Sequence, residues 1–311
     1  MTPPVVQTTE LTKEYGGMTA VERLNIQIGE GEIFGFLGPN GAGKTTTILM
    51  LLGLTEPTFG EARITGYNTT LEPLQVKRIT GYLPENVGFY HDLTARENLK
   101  YITSLNGIPS KEAKGKIEKA LEAVGLSSVA DKEVGKFSKG MKQRLGIADV
   151  LVKDPKLIIL DEPTTGIDPA GVTHLLDLIV DLAKNRGITI MLSSHLLHQV
   201  QKICDRVGII SNGKLVAEGS IEKLSADLGG NGQRAIDVQV TELTDKLLSS
   251  LQSILGVTRI ETTGNSLTIV SDRDVRADVS KTIVDNGSLP LQIKSRDYAL
   301  EEIYMRYFSE G

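Results

Sequence analysis

Eight residues, Gly38-Pro39-Asn40-Gly41-Ala42-Gly43-Lys44-Thr45, constrain this chain more than any other stretch. They fit the pattern G-x-x-x-x-G-K-[ST], in which glycines let successive backbone N–H groups turn inward and line an anion nest. A helix starting at the nest turns its positive dipole end on the same anion. The flanks agree with this. Glu32-Ile33-Phe34-Gly35-Phe36-Leu37 reads as a buried strand entering the loop, and Thr46 to Leu54 reads as a helix leaving it. Strand, loop and helix in that order predict a phosphate-binding turn. Lys44 can reach phosphate oxygens as a point charge, and the Thr45 hydroxyl, next to Thr46, can ligate a divalent cation.

The 311 residues suit two domains, and their net charge of −5 argues against an extended nucleic-acid surface, where a basic excess is usual. Cys204 is the single cysteine, which excludes a disulfide framework and a cysteine-rich zinc site. His198 and Cys204 are six apart on an expected helix, about 240° around it at 100° per residue, which argues against their forming a metal-ligand pair. No apolar run approaches the roughly 18 residues that span a bilayer, so a membrane role would come through a partner. The N-terminal residues lack the basic and apolar regions of a secretory signal.

Up to about residue 85, short strands alternate with glycine turns around the one helix after the loop. A helical block follows over about 87–152. It holds a capping box at Thr94-Ala95-Arg96-Glu97, and a helix capped by Ser110 that presents Ile117, Ala120, Leu121 and Val124 on one face. Strands return at Leu157 to Leu160, Ile188 to Leu192 and Val207 to Ile210, with a helix over Pro169 to Lys184 and a hairpin at Asn212-Gly213. The expected core is α/β and largely parallel, with the helical block inserted. Leu228-Gly229-Gly230-Asn231-Gly232 reads as a linker between a first domain, 1–228, and a second, 233–311. The second reads βαββαβ, a small α+β ferredoxin-like sandwich, with a last helix over about 300–308.

Leu157-Ile158-Ile159-Leu160 is followed by Asp161 and Glu162. A buried strand would deliver Asp161 to the phosphate loop, where it can hold Mg²⁺ through water. Glu162, one residue past the strand, can orient and deprotonate an attacking water.

Further segments make the chain resemble the nucleotide-binding subunits of ABC transporters over roughly residues 5–225. Phe137-Ser138-Lys139-Gly140-Met141-Lys142-Gln143-Arg144 stands at the position of that family's signature. Gly166-Ile167-Asp168 matches its D-loop, Ser194-His195 its switch histidine, Gly81-Tyr82-Leu83-Pro84-Glu85 its Q-loop, and Tyr15 its adenine-stacking aromatic. The resemblance implies a P-loop NTPase cassette: a RecA-like core, an antiparallel β subdomain and the inserted helical subdomain. It implies ATP hydrolysis with Mg²⁺ near Thr45, Asp161 and Glu85, and catalysis by Glu162 with His195 contacting the γ-phosphate. ATP would lie between two cassettes, most simply a homodimer, with Ser138, Gly140 and Asp168 acting across the interface. The chain would be cytoplasmic and held at the inner face of the membrane by an integral-membrane subunit, with no nucleic acid involved.

Lys139 and Met141 depart from the family's glycine and glutamine, and Glu85 stands where glutamine is usual. A guanine-reading N-K-x-D is absent, a second cassette is absent, and the spacing from Lys44 to Ser138 leaves no room for the coiled coil of DNA-repair relatives. A transport motor of export type remains. Gly81 to Leu93, with Phe89-Tyr90, is similar to the ATPase that assists copper-site maturation of nitrous oxide reductase, with generic drug, lipid or polysaccharide export as the alternative. Tyr298 to Tyr304 also resembles the tail of these exporters.

Overall fold

The computed structural model describes residues 3–194, 196–221, 223–224 and 234–296. His195, the glycine-rich stretch 228–232 and the helix expected over 300–308 lie outside them. The chain divides into two compact units, Met1–Glu218 and Gly219–Gly311.

The first unit opens with β1 (Val6–Tyr15), β2 (Met18–Leu24), β3 (Gln27–Ile28) and β4 (Ile33–Leu37). The phosphate loop then leads into α1 (Lys44–Leu51), followed by β5 (Phe59–Ile64), β6 (Tyr67–Asn68), α2 (Pro73–Ile79) and β7 (Thr80–Leu83). The helical block holds α3 (Ala95–Leu105), α4 (Ser110–Ala123) and α5 (Lys139–Leu151). The core resumes with β8 (Leu157–Asp161), α6 (Pro169–Lys184), β9 (Thr189–Ser194), α7 (Leu197–Ile203), β10 (Arg206–Ser211) and β11 (Lys214–Gly219).

Two sheets result. One runs β2-β1-β5-β6, with β3 added on β1, and these strands pair antiparallel. The other runs β11-β10-β4-β9-β8-β7, with parallel pairing from β10 through β7. Every residue of β4, β8 and β9 is buried. That is why these strands read as unbroken apolar runs, since a parallel sheet is covered on both faces. β10 and β11 are joined by Asn212-Gly213, both at positive φ (47° and 79°), the backbone of a two-residue hairpin.

The helical block follows the apolar periodicity. Ala113, Ile117, Ala120 and Leu121 are the buried face of α4. The Thr94 capping box is complete, with the Thr94 side chain accepting from Glu97 N–H and Glu97 accepting from Thr94 N–H. Ser110 differs from expectation. Pro109 is the N-cap and Ser110 the first helical residue. With φ held near its own fixed value, Pro109 keeps an extended backbone that ends where the helix begins.

The second unit runs β12 (Arg234–Val240), α8 (Asp245–Gln252), β13 (Val257–Thr263), β14 (Ser266–Ser271), α9 (Arg276–Asp285) and β15 (Pro290–Arg296). Its sheet order is β13-β14-β12-β15, antiparallel throughout. Ile236, Val238 and Val240 alternate onto one face and share a core with Leu247, Leu251, Val279 and Ile283 of the two helices.

Candidate functional site

β4, β7, β8 and β9 all point their C-terminal ends at one place, the crevice where open α/β sheets bind ligands. A cleft of about 330 Å³ lies there. It is lined by Ala20, Pro39, Asn40, Gly41, Gly43, Lys44, Thr45, Thr46, Glu85, Asp161 and Glu162. A larger cleft, of about 470 Å³, opens at the opposite strand ends among Lys116, Lys119, Lys156 and Arg186, but Asp154 is its only carboxylate. Size therefore does not pick out the site; the meeting of an anion nest with several carboxylates does.

Close approach fixes the loop. A Cβ on Gly38 would lie 2.4 Å from the Ile210 carbonyl, and one on Gly43 would lie 2.5 Å from the Ala20 carbonyl. Gly43 also sits at φ 108°, a backbone that side chains oppose. The hairpin after β10 braces the loop from behind, Gly213 N–H donating to the Ala42 carbonyl at 3.0 Å. No side chain caps α1 and its first turn holds no acid, so the first-turn N–H groups face the cleft without a competing carboxylate. Gly43→Ala is expected to destabilise the first unit by about 1–3 kcal/mol and to abolish nucleotide binding, read by urea unfolding and nucleotide titration. An alanine variant that binds normally would overturn this account of the loop.

Lys44 is buried, with a side chain only 7% exposed. Its ammonium donates to the Gly38 carbonyl at 2.6 Å and to the Pro39 carbonyl at 3.1 Å. Glu162 Oε1 is 4.0 Å away. Burial lowers the Lys44 pKa, and the Glu162 and Asp161 carboxylates oppose that shift. The two acids are carried by β8 and the turn after it. Asp161 ends the strand. Glu162 follows at φ 49°, in the left-handed region, which redirects the chain at that residue.

Two neighbours were not visible in the sequence. Ser193 lies directly across from Asp161 in the β8–β9 register, and its hydroxyl donates to Asp161 Oδ1. On the other side of β8, the Tyr82 phenol of β7 lies near the Asp161 carboxylate. Burial first, then the Asp161 charge, push the Tyr82 pKa up to about 12. The only signals available were two serines ending an apolar strand, and a tyrosine near the end of another.

The other expected residues are placed as follows. Glu85 reaches the cleft. Tyr15 ends β1 outside the cleft lining, with the Lys13 ammonium 4.9 Å over its ring. Ser138 and Asp168 cap α5 and α6, accepting from Met141 N–H at 3.2 Å and Gly171 N–H at 2.9 Å. Gly140 packs on Ile167, and the Lys139 ammonium reaches Gly166, so the signature and the Gly166–Asp168 turn touch within one chain. Neither segment lines the chain's own cleft. His195 lies outside the described residues. Among these, no group of three or more His, Cys, Asp or Glu is placed to hold a metal by itself, and no helix is long and apolar enough to cross a membrane. Cys204 packs near Gly35, and burial pushes its thiol pKa up.

Comparison with known proteins agrees with this geometry. A family model described as ABC transporter matches residues 21–165. The bacitracin transport ATP-binding protein BcrA of Bacillus licheniformis is 40% identical, over 99% of this chain and 98% of that protein. The linearmycin resistance ATP-binding protein LnrL of Bacillus subtilis (strain 168) is 37% identical, over 81% of this chain and 80% of that protein. A solved dimeric cassette in a post-hydrolysis state, bound to ADP and Pi, superposes with a TM-score of 0.61. It is 25% identical and covers 69% of this chain and 98% of that one. Proteins of this kind bind and hydrolyse ATP, pair as dimers and work with membrane subunits. The chain belongs to the ATP-binding subunits of ABC transporters.

Proposed function

We propose that this chain is the motor of an exporter that removes a membrane-active antibiotic or a similar amphiphile, driving an integral-membrane subunit. The supporting observation is that the likeness to BcrA runs end to end, through the second unit as well as the cassette. The linearmycin resistance relative points the same way. Neither supports the copper-maturation branch, and general export is the better reading. The test is a chromosomal Lys44→Ala substitution in the source strain. The minimum inhibitory concentration of bacitracin or linearmycin is expected to fall severalfold, because a motor that cannot hold ATP cannot drive export. Unchanged sensitivity to both classes would overturn the substrate reading.

Within the cleft, the loop N–H groups and Lys44 hold the β- and γ-phosphates, and Tyr15 stacks on adenine. Three carboxylates and one ammonium line the cleft, so a nucleotide polyanion needs a divalent counter-ion there. The available donors are hard oxygens suited to Mg²⁺: the Thr45 hydroxyl and the Asp161 carboxylate, with Glu85 at the rim. When bound, Mg²⁺ neutralises charge on the β- and γ-oxygens. Glu162 accepts a proton from the attacking water. Ser138, Gly140 and Asp168 serve the nucleotide of a second copy of the chain, and His195 reads its own γ-phosphate. We read residues 1–228 as the cassette and 233–311 as an accessory domain of ferredoxin-like topology. The β13-β14-β12-β15 order and the βαββαβ succession support that reading.

A further inference from the structure

We propose that Ser193 is a positioning residue for hydrolysis: it holds the Asp161 carboxylate, and through the Glu162 N–H it sets the direction of the catalytic carboxylate. Ser193 is fully buried next to the end of β9. Its hydroxyl donates to Asp161 Oδ1 and also accepts the Glu162 N–H at 3.1 Å. The Ser193 carbonyl accepts that same N–H at 3.2 Å. A hydroxyl has one proton and two lone pairs, so both roles run at once. One side chain therefore touches two of the three carboxyl-bearing residues of the cleft, Asp161 by its carboxylate and Glu162 by its backbone.

The Glu162 backbone needs that anchor. Its φ of 49° is one a glutamate leaves unless neighbouring contacts hold it. The bifurcated hydrogen bond from the Glu162 N–H to the Ser193 hydroxyl and carbonyl pins the turn at the residue where the chain changes direction. The Ser193 donor from β9 thus fixes which way the Asp161 oxygens face. An apolar residue at 193 would continue the run Ile190-Met191-Leu192 just as well for the core, but it would take that donor away from Asp161. Partners behind a metal-holding group typically change metal affinity or activity by about 10–100-fold when removed.

This inference rests on reading Asp161 as the metal-holding carboxylate, so the experiment tests that separately. The full-length chain would be titrated with Mn²⁺ in the presence of a non-hydrolysable ATP analogue and followed by electron paramagnetic resonance. Nucleotide affinity would be measured in parallel with EDTA present. Ser193→Ala is expected to weaken Mn²⁺ binding and to lower kcat, each by about tenfold, while metal-free nucleotide affinity stays at the parent value. Ser193→Thr keeps the hydroxyl and should restore most of both. Ser193→Cys, which keeps the volume but is only a weak donor, should weaken Mn²⁺ in the same direction, and it carries the test if Ser193→Ala does not fold. Asp161→Asn is the control. If Asp161→Asn weakens Mn²⁺ and Ser193→Ala does not, the positioning role is overturned. Parallel loss of metal-free nucleotide affinity in Ser193→Ala would overturn it too, because the cleft itself would have collapsed. If Asp161→Asn leaves Mn²⁺ affinity intact, the metal reading of Asp161 fails, and the Ser193 role with it.

Discussion

Replacing Glu162 by glutamine is expected to leave ATP binding intact, to hold the nucleotide-bound dimer closed and to reduce turnover by about 10²–10⁴. The substitution keeps the shape of the side chain and its backbone anchor on Ser193, so the cleft does not rearrange. What disappears is the one group next to the loop lysine that can take a proton from water. The three carboxylates of the lining become two, which lessens repulsion against the terminal phosphate and lets ATP affinity hold or rise. The readouts are steady-state phosphate release and the mass of the ATP-bound species by light scattering. Turnover close to the parent's would remove Glu162 from its role. A variant that is inactive but stays monomeric with ATP would separate proton transfer from closure.

Local constraints were readable in the residues, and constraints set by register were not. The phosphate loop was legible because its whole requirement lies in eight consecutive residues between an apolar strand and a helix. Asp161 was legible for the same reason, as the first acid after four apolar residues. The Thr94 capping box is also a short-range pattern, and it is present as read. Ser193 escaped because its role depends on which residues of β8 and β9 lie side by side. Strand pairing across more than thirty residues sets that, and no spacing within one segment encodes it. Ser110 was misassigned as a cap because both it and the preceding proline suit a helix start, and the choice turns on one residue's backbone. The mutual packing of Lys139 on Gly166 was hidden likewise, since it joins the start of α5 to a turn beyond β8.

Lys44→Ala is expected to lower ATP affinity by at least about 30-fold, the effect of removing a buried, hydrogen-bonded charge from a site that receives its counter-charge. Three losses act together. The phosphates lose their nearest point charge. The Gly38 and Pro39 carbonyls lose the ammonium that draws them into the loop. Asp161 and Glu162 lose the one cation lining their cleft, which becomes more repulsive to an anion. Stability should move differently. The Lys44 pKa is lowered in the folded chain, so burial outweighs the attraction of both carboxylates and the charged form is disfavoured by folding. For a lysine shifted in that direction, the penalty is present when the group is protonated and is relieved as pH rises through the folded value. Lys44→Met, which keeps the stem without the charge and avoids the alanine cavity, should therefore unfold in urea no earlier than the parent while binding ATP as poorly as Lys44→Ala. A methionine variant that unfolds much earlier would mean that the ammonium serves the fold. Unchanged ATP affinity in either variant would contradict the assignment of the loop. Intact stability with lost affinity would show that this lysine stays charged in a buried place for the sake of its ligand.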